Sequence, residues 1–464
     1  MRRTEVGRAR VAPATFLVAL LAALVGCGFP SPRAATRNPS VPDLRPPLRG
    51  VVVLVPGATG SMLRDRSGRV LWGRGIDLVR PRDGGYGLVH PVTQRDAGAG
   101  LEAFAVLERI GLFGVVRKPV YAPVVRALER EGYRLGVLTA PGAGDSLYLF
   151  PWDWRLSHTT AAARLAAALE AVRRARDEDV LPVALVCQSS GAHVCRWLAR
   201  YGAASLEDVE RGPVAPVPRL RVTTLVLVGS SNGGSLRILR ELDRGRTYIP
   251  LIGRRWRPET LFTFPSLYED LPAYRDDLFL DAQGEALDVD LYAAESWTRY
   301  GWSAFRADAR KRLDRLDDAG PFGTRAQRLE YLRWVLDRTR RVQLALAAGM
   351  PPGVDPAGPP AGLPRYHLIQ SRDDPTTPER AVLTHDDHGW RLLFAGDDEV
   401  DRDPGLSALA AAVGDGHATL ESQRFLTPEE TAALAGPPVY VPGAHFELIQ
   451  SPEALSALTA ALAE

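Results

Sequence analysis

The sequence predicts an α/β fold with a parallel central sheet, and three features of the chain indicate it. Two continuous apolar runs rich in β-branched residues, Val51–Val55 and residues 183–187, are typical of strands buried on both faces of a parallel sheet. One of these strands passes directly into a sharp turn and a helix. Segments with helical periodicity alternate with the strands, at Ala122–Arg130, residues 161–176 and residues 452–462. Such alternation predicts a layered α/β domain.

The composition is that of an ordinary globular protein, with 464 residues, 45% hydrophobic and 24% charged. The formal net charge is +2. Without the arginines and the glutamate of the first ten residues, 53 basic residues face 54 acidic ones. Nucleic-acid binding usually requires a basic excess on one face, so no nucleic-acid partner is expected.

The N-terminus has the pattern of an export signal. Several arginines precede an apolar run at residues 16–24, which is too short for a comfortable membrane span. The run ends in Leu-Val-Gly-Cys, which resembles a bacterial lipoprotein box. Residues 1–26 are therefore predicted to be removed and Cys27 to carry a lipid, with an unlipidated signal peptide as the alternative. The proline-rich residues 27–49 predict an extended tether to a membrane of the bacterial cell envelope.

The chain has three cysteines, Cys27, Cys187 and Cys195. Their spacing matches neither a metal site nor a disulfide framework. Since free cysteine is among the most buried residue types, Cys187 and Cys195 are predicted to be small core residues.

A Ser-x-Gly turn lies between the strand at residues 183–187 and the helix that follows. This arrangement is a nucleophile elbow, in which a tight turn lifts a serine hydroxyl above the sheet at the N-terminus of a helix. Ser189 is the predicted nucleophile. Ser190 is the alternative, but the glycine at position 191 favours Ser189 because the turn requires small neighbours.

A glycine-rich segment follows the first strand at residues 56–61. Glycines let the backbone turn sharply, and amide groups in such a loop can bind the negative oxygen of a tetrahedral intermediate. The amides of Ala58 and Ser190 are the predicted oxyanion donors.

A nucleophilic serine needs a base, and on this type of fold the histidine comes last in the chain. His445 lies in a loop between a short strand at residues 439–441 and the closing helix, where that base is expected. His385 and His388 are assigned instead to a polar hairpin tip, with a metal site as the less favoured alternative.

The acid that orients the histidine should follow an earlier strand. Asp397 directly follows a strand at residues 391–395 and is the predicted acid, with Asp398 as its alternative. A charged, solvated turn is the competing interpretation of this acidic cluster.

Several motifs resemble the lecithin:cholesterol acyltransferase family, which includes a lysosomal phospholipase with transacylase activity. Residues 150–155, Phe-Pro-Trp-Asp-Trp-Arg, are similar to its Tyr-Asp-Trp-Arg run and are the most specific of these motifs. Residues 55–63 resemble its oxyanion segment, and residues 186–191 resemble its Ala-His-Ser-Met-Gly elbow. Residues 229–235 resemble its Gly-Thr-Pro-x-x-Gly-Ser loop, and residues 265–272 resemble its Pro-Ser-x-x-x-Leu-Leu-Pro stretch. Residues 396–400 resemble its Gly-Asp-Gly-Thr-Val turn.

The resemblance implies an α/β-hydrolase fold whose core is formed by residues 50–235 and 366–464. A cap or lid is implied at residues 236–365. A smaller insertion at residues 64–118, with apolar residues at positions 106, 107, 110, 112 and 113, is implied to touch a membrane surface. A core helix is the alternative for these apolar residues.

The resemblance also implies a serine-dependent enzyme that transfers or hydrolyses the acyl ester of a phospholipid or another lipid through an acyl-enzyme. Ser189 would attack the ester, His445 would exchange the proton and Asp397 would orient the histidine. No cofactor and no metal ion are implied. The alternatives are a general carboxylesterase or lipase without membrane preference, and a lipoprotein that keeps the fold as a binding module.

Overall fold

The computed structural model describes residues 50–79, 82–98, 100–112, 116–214, 219–248, 254–348 and 363–464. The predicted signal, the tether and Cys27 lie outside these residues. Within the described part, no helix combines the length and the apolar character needed to cross a membrane.

A six-stranded sheet forms the centre of the fold, and its strands pair in parallel. In chain order they are β1 (Val51–Val55), β2 (Leu147–Leu149), β3 (Leu181–Gln188), β4 (Leu220–Val228), β5 (Arg365–Gln370) and β6 (Val439–Tyr440). Their order across the sheet is β6-β5-β4-β3-β1-β2. Because the strands are parallel, the loops that follow them meet at one edge of the sheet. The predicted α/β class is confirmed.

Helices cover both faces of the sheet. The longer ones are α1 (Ala122–Arg130), α2 (His158–Ala175), α3 (Gly191–Tyr201), α4 (Leu236–Arg244), α5 (Arg325–Ala347) and α6 (Pro452–Ala463). Val51, Val53 and Val55 of β1 belong to a core shared with α2 and α3, whereas Val52 and Leu54 pack on the side of α1 and α6. This alternation is the two-residue period of a strand buried on both faces.

Smaller sheets lie outside the central one. They consist of Ser61–Asp65, Val70–Trp72 and Leu101–Val106; Arg109–Leu112 and Val116–Pro119; Phe279–Leu280, Ala381–Asp386 and Gly389–Leu393; and Asp374–Pro378 with Ala411–Gly414. The shorter helices are Gly75–Val79, Arg82–Leu88, Val92–Gln94, Leu206–Arg211, Pro258–Leu261, Pro265–Glu269, Ala294–Tyr300, Ser303–Phe305, Ala307–Leu313, Asp398–Asp401, Pro404–Ala410, Leu420–Gln423, Pro428–Ala432 and Leu448–Gln450.

The apolar stretch of the insertion at residues 64–118 forms strands, so the alternative of a core helix is wrong. Leu101–Val106 pairs antiparallel with Ser61–Asp65, which places Val106 opposite Ser61. Val106 and Leu107 are buried, while Phe113 lies outside the described residues. Contact between this insertion and a membrane remains a prediction.

The region at residues 236–365 is mostly helical where it is described, and its longest helix, α5, lies against α3. The guanidinium of Arg200 donates a hydrogen bond of 2.6 Å to the Leu346 carbonyl, and the hydroxyl of Tyr201 donates one of 2.6 Å to the Ala345 carbonyl. These bonds join the end of α5 to the helix that follows the elbow. A lid function for this region remains a prediction.

Cys187 and Cys195 form a disulfide bond between the end of β3 and the second turn of α3. Both residues are buried, as predicted, but the expectation that no disulfide links them is wrong. The turn between strand and helix brings their Cα atoms to 6.6 Å, a separation that a disulfide can span. The bond closes a loop around Ser189.

We expect the double substitution Cys187→Ala and Cys195→Ala to lower the free energy of unfolding by about 2–3 kcal/mol, because it removes a cross-link that restricts the unfolded chain. Urea unfolding of both proteins, with and without a reductant, measures this. Reductant should destabilise the wild type and leave the double variant unchanged. Equal midpoints for all four samples would contradict the prediction.

Candidate active site

Ser189 occupies the sharp turn between β3 and α3. Its φ is 54°, in the left-handed region that residues other than glycine seldom adopt. The turn leaves no room for larger neighbours: a Cβ on Gly191 would lie 2.7 Å from the Pro56 carbonyl oxygen, and one on Gly57 would lie 2.8 Å from the Cβ of Ser189. Backbone strain of this kind persists where the surrounding structure enforces it, commonly at functional sites.

The imidazole of His445 lies beside the Ser189 hydroxyl, with 2.8 Å between Nε2 and Oγ. The two residues are 256 positions apart in the chain. They meet because β3 and β6 belong to the same parallel sheet, so that the loops after them share an edge. The structure therefore brings together the serine and the histidine that the sequence singled out.

The carboxylate that contacts His445 belongs to Asp415, whose Oδ2 lies 2.8 Å from Nδ1 of the imidazole. Its other oxygen, Oδ1, accepts hydrogen bonds of 2.9 and 2.8 Å from the backbone amides of His417 and Ala418. The Asp415 carbonyl also accepts the His445 amide at 3.0 Å. These bonds direct Oδ2 at Nδ1, which leaves Nε2 for the serine.

The prediction that Asp397 orients His445 is therefore wrong. Asp397 follows the strand Gly389–Leu393, which belongs to a separate small sheet. Arg240 and Arg244 donate hydrogen bonds of 3.1 and 2.8 Å to its Oδ1. Burial opposes ionisation of Asp397, but the hydrogen bond from Arg244 and the other contacts outweigh it and lower the pKa of this carboxyl. Asp398, the alternative, has a side chain that is 87% exposed.

The sequence carried a signal for Asp415. It follows the strand Ala411–Gly414 directly, and Gly414-Asp415-Gly416 is closer to the Gly-Asp-Gly turn of the resembled family than Gly396-Asp397-Asp398 is. An insertion at residues 371–410 with its own strands separates β5 from Asp415. The rule that the acid follows a strand therefore selected a strand of the wrong sheet.

His417 stacks on His445, with ring centroids 4.3 Å apart and ring planes 21° from parallel. Burial, followed by the nearby charge of His445, holds the pKa of His417 well below its usual range, so this ring stays neutral. It limits the rotation of His445 without adding a charge next to it. Sequence reasoning missed His417 because its position depends on the turn at Asp415.

The predicted oxyanion donors, Ala58 and Ser190, lie in contact. The Ala58 amide donates a hydrogen bond of 2.8 Å to the Ser190 hydroxyl oxygen. The neighbouring Gly57 amide donates to the Tyr121 hydroxyl at 3.0 Å, and that hydroxyl donates to Oε1 of Gln188 at 2.6 Å. The segment after β1 is thus tied to the elbow on both sides of Ser189.

Tryptophan side chains hold the same segment from the opposite side. The indole of Trp152 donates to the Pro56 carbonyl at 2.8 Å, and the indole of Trp154 donates to the Ser61 carbonyl at 3.0 Å. Between them, Asp153 forms a buried ion pair of 2.7 Å with Arg155. The motif at residues 150–155 therefore acts as a brace for the candidate oxyanion segment.

His385 and His388 lie at the polar hairpin predicted for them, formed by Ala381–Asp386 and Gly389–Leu393. Asp386 accepts a hydrogen bond from the His388 amide at 2.8 Å. Within the described ranges, the His, Cys, Asp and Glu side chains close enough to hold a metal ion together do not include this pair.

The arrangement as a whole combines a serine hydroxyl, an imidazole that can accept its proton, and a carboxylate that fixes the imidazole. Such a set can form a covalent bond between Ser189 and an electrophilic carbonyl or phosphonyl centre.

The described fold is similar to that of a solved protein. The crystal structure of a Tle4–Tli4 complex contains a chain that aligns with a TM-score of 0.57 at 14% sequence identity, covering 89% of this chain and 97% of that chain. At this identity, the likeness shows the fold alone. No protein-family model and no curated protein matches the chain.

We expect Asp415→Asn to slow covalent labelling of Ser189 by a fluorophosphonate by roughly 10³–10⁴-fold, because an amide cannot keep His445 in the tautomer that accepts the serine proton. Asp397→Asn is the matched control, and it should label within about twofold of the wild type, since the small sheet holds it away from His445. Stopped-time labelling followed by mass spectrometry gives both rates. Slow labelling of Asp397→Asn with normal labelling of Asp415→Asn would reverse our assignment.

Proposed function

We propose that the chain is a serine-dependent enzyme of the α/β-hydrolase type that acts on lipid acyl esters. The observation that carries the proposal is the linked series Ser189, His445 and Asp415, joined by two contacts of 2.8 Å each. The positive φ of Ser189 supports it, since this strain holds the hydroxyl at the end of a buried strand and the start of a helix.

In the proposed reaction, Oγ of Ser189 attacks the ester carbonyl carbon while Nε2 of His445 takes the hydroxyl proton. The carbon–oxygen bond of the ester then breaks, and the leaving alcohol takes the proton from His445. An alcohol or a water molecule next attacks the acyl-enzyme, gives its proton to His445, and releases a new ester or a fatty acid as the proton returns to Ser189. Asp415 stabilises the imidazolium in both halves.

The oxyanion of each tetrahedral intermediate is proposed to bind at Ala58 and Ser190. The Ser190 hydroxyl accepts the Ala58 amide in the described structure. The second proposed donor is the backbone amide of Ser190, the N-cap residue of α3. When the oxyanion forms, the Ser190 hydroxyl either donates its own hydrogen to it or rotates away from the Ala58 amide.

A lipid substrate is proposed because of the motifs shared with the lecithin:cholesterol acyltransferase family, above all residues 150–155. The side chain of Phe446 supports it: the ring packs edge-on to His445 at 5.1 Å, and the residue is 50% exposed. An exposed aromatic ring beside the base suits the acyl chain of a substrate.

Export and anchoring through Cys27 are part of the proposal and rest on the N-terminal sequence. The disulfide between Cys187 and Cys195 supports export, since structural disulfides persist in oxidising compartments such as the bacterial periplasm. An anchored enzyme would work where its lipid substrate is concentrated.

Ser189→Ala should abolish labelling by a fluorophosphonate and all ester turnover, because the Ser189 hydroxyl contacts His445 and forms the acyl-enzyme in the proposed mechanism. Ser190→Ala is the matched control: it should still label at residue 189, with turnover reduced by up to the order of 10² through loss of an oxyanion contact. Peptide mapping of the adduct identifies the residue. A wild type that fails to label would remove the enzyme proposal and favour a binding lipoprotein.

Vesicles of a phospholipid mixed with a long-chain alcohol should yield acylated alcohol, free fatty acid or both, because alcohol and water compete for the same acyl-enzyme. Chromatography of the lipid products separates transfer from hydrolysis, with Ser189→Ala as the blank. A short soluble ester, assayed in parallel, should be a poorer substrate than the vesicles. Turnover of the soluble ester alone would replace our lipid assignment with a general carboxylesterase.

A further inference from the structure

A second cluster of polar side chains includes a residue of the helix that follows the elbow, and it has no part in the proposed reaction. It consists of His158 at the start of α2, His193 in the first turn of α3, and Asp270, which follows the helix Pro265–Glu269. All three residues are at most 2% exposed. One ligand atom from each lies within 4.8 Å of the others.

Two of the atoms that face one another in this cluster lack hydrogen-bond partners within the described residues. Oδ1 of Asp270 and Nε2 of His158 are buried without a partner among the described residues, and they lie 3.7 Å apart. Nε2 of His193 lies 4.0 Å from the same Oδ1. Leaving buried polar atoms unpaired is costly, so such atoms call for a ligand.

We propose that His158, His193 and Asp270 bind a divalent transition-metal ion, with Zn²⁺ as the best match. Two imidazoles and a carboxylate are a ligand set that zinc prefers. In a tetrahedral zinc site, neighbouring ligand atoms lie about 3.4 Å apart, given metal–ligand bonds of about 2.0–2.2 Å. Two of the separations, 3.7 and 4.0 Å, are close to this value, and all three ligand atoms lie within 4.8 Å of one another, so binding would draw the three side chains together.

The surroundings of His158 fit a metal ligand. Its Nδ1 lies 2.9 Å from Oε2 of Glu269, while its other nitrogen, Nε2, faces Asp270. A carboxylate at the second nitrogen is the common partner of a zinc-bound histidine, because it fixes the tautomer that presents the other nitrogen to the metal. Glu269 is itself held by the Ser157 hydroxyl at 2.6 Å.

His193 must change one bond on binding the metal. Its Nε2 contacts the Ser231 carbonyl at 2.8 Å, whereas its Nδ1 is buried without a partner in the described part of the chain. The ring can bind the ion through Nδ1 after a flip, or through Nε2 after that contact is released.

Further carboxylates lie near the cluster. Glu269 lies beside His158, and Arg338 lies 3.9 Å from Glu269 and 3.6 Å from Asp96. A divalent ion would place positive charge next to the buried carboxylate of Asp270.

The ion would be structural, since Asp415 and not this cluster contacts His445. It would link α2, α3 and the segment after Pro265–Glu269. Since the Asp270 carbonyl already accepts the Ser235 amide at 2.8 Å, the link extends to the start of α4. The elbow would then be held by a disulfide at Cys195 and by a metal at His193.

The test measures metal content in the full chain, purified without a histidine tag. Samples are incubated with Zn²⁺, Ca²⁺ or Mg²⁺, desalted, and analysed by elemental mass spectrometry. We expect the wild type to retain close to one zinc ion per chain and neither of the other ions. Ser189→Ala should retain zinc equally, which separates this proposal from the proposed reaction. A wild type that retains no zinc would overturn the inference and leave the cluster as a buried ion-pair network.

Variants locate the ion. Asp270→Asn and His193→Gln should lose the zinc, while His90→Gln, a substitution of a buried histidine outside the cluster, should keep it. A chelator should lower the melting temperature of the wild type and of His90→Gln but not that of Asp270→Asn. Zinc retained by Asp270→Asn and His193→Gln would place the ion elsewhere and refute the site. If Asp270→Asn and His193→Gln do not fold, the zinc content of the wild type and the effect of the chelator on it still decide whether zinc binds. Loss of zinc from His90→Gln would by itself refute the assignment to this cluster.

Discussion

The candidate site depends on one series of hydrogen bonds that joins Asp415, His445 and Ser189. Each contact is 2.8 Å long, and each requires its partner to be held from a different part of the chain. Two backbone amides fix the carboxylate, the stacked ring of His417 limits the imidazole, and a strained turn fixes the hydroxyl. The parallel sheet is what allows these three supports to meet at one edge.

Several independent contacts hold the elbow, and together they explain how Ser189 can keep a left-handed backbone conformation. A larger side chain at Gly191 or Gly57 would strike backbone or the serine itself. The disulfide from Cys187 to Cys195 closes the turn, and hydrogen bonds from Gly57 and Ala58 tie it to the segment after β1. Strain of about 1–3 kcal/mol persists only when the surroundings enforce the geometry in this way.

Much of the polar character of the interior serves to connect separate segments. Trp152 and Trp154 use their indole groups to hold carbonyls of the segment after β1, and the Asp153–Arg155 pair is buried between them. The cluster of His158, His193 and Asp270 also joins separate segments, but several of its atoms lack partners in the described structure. That contrast between a satisfied network and an unsatisfied one motivates the metal proposal.

The sequence by itself determined the features that local chemistry dictates: the buried strands β1 and β3, the Ser-x-Gly turn with Ser189, and the late loop histidine His445. Apolar runs, helical periodicity and the steric demands of a tight turn involve only neighbouring residues, so they can be recognised in the sequence. Only the tertiary structure decided between Asp397 and Asp415, paired Cys187 with Cys195, and stacked His417 on His445. Those outcomes depend on which sheet a strand joins and on contacts between distant residues, and no local pattern contains that information.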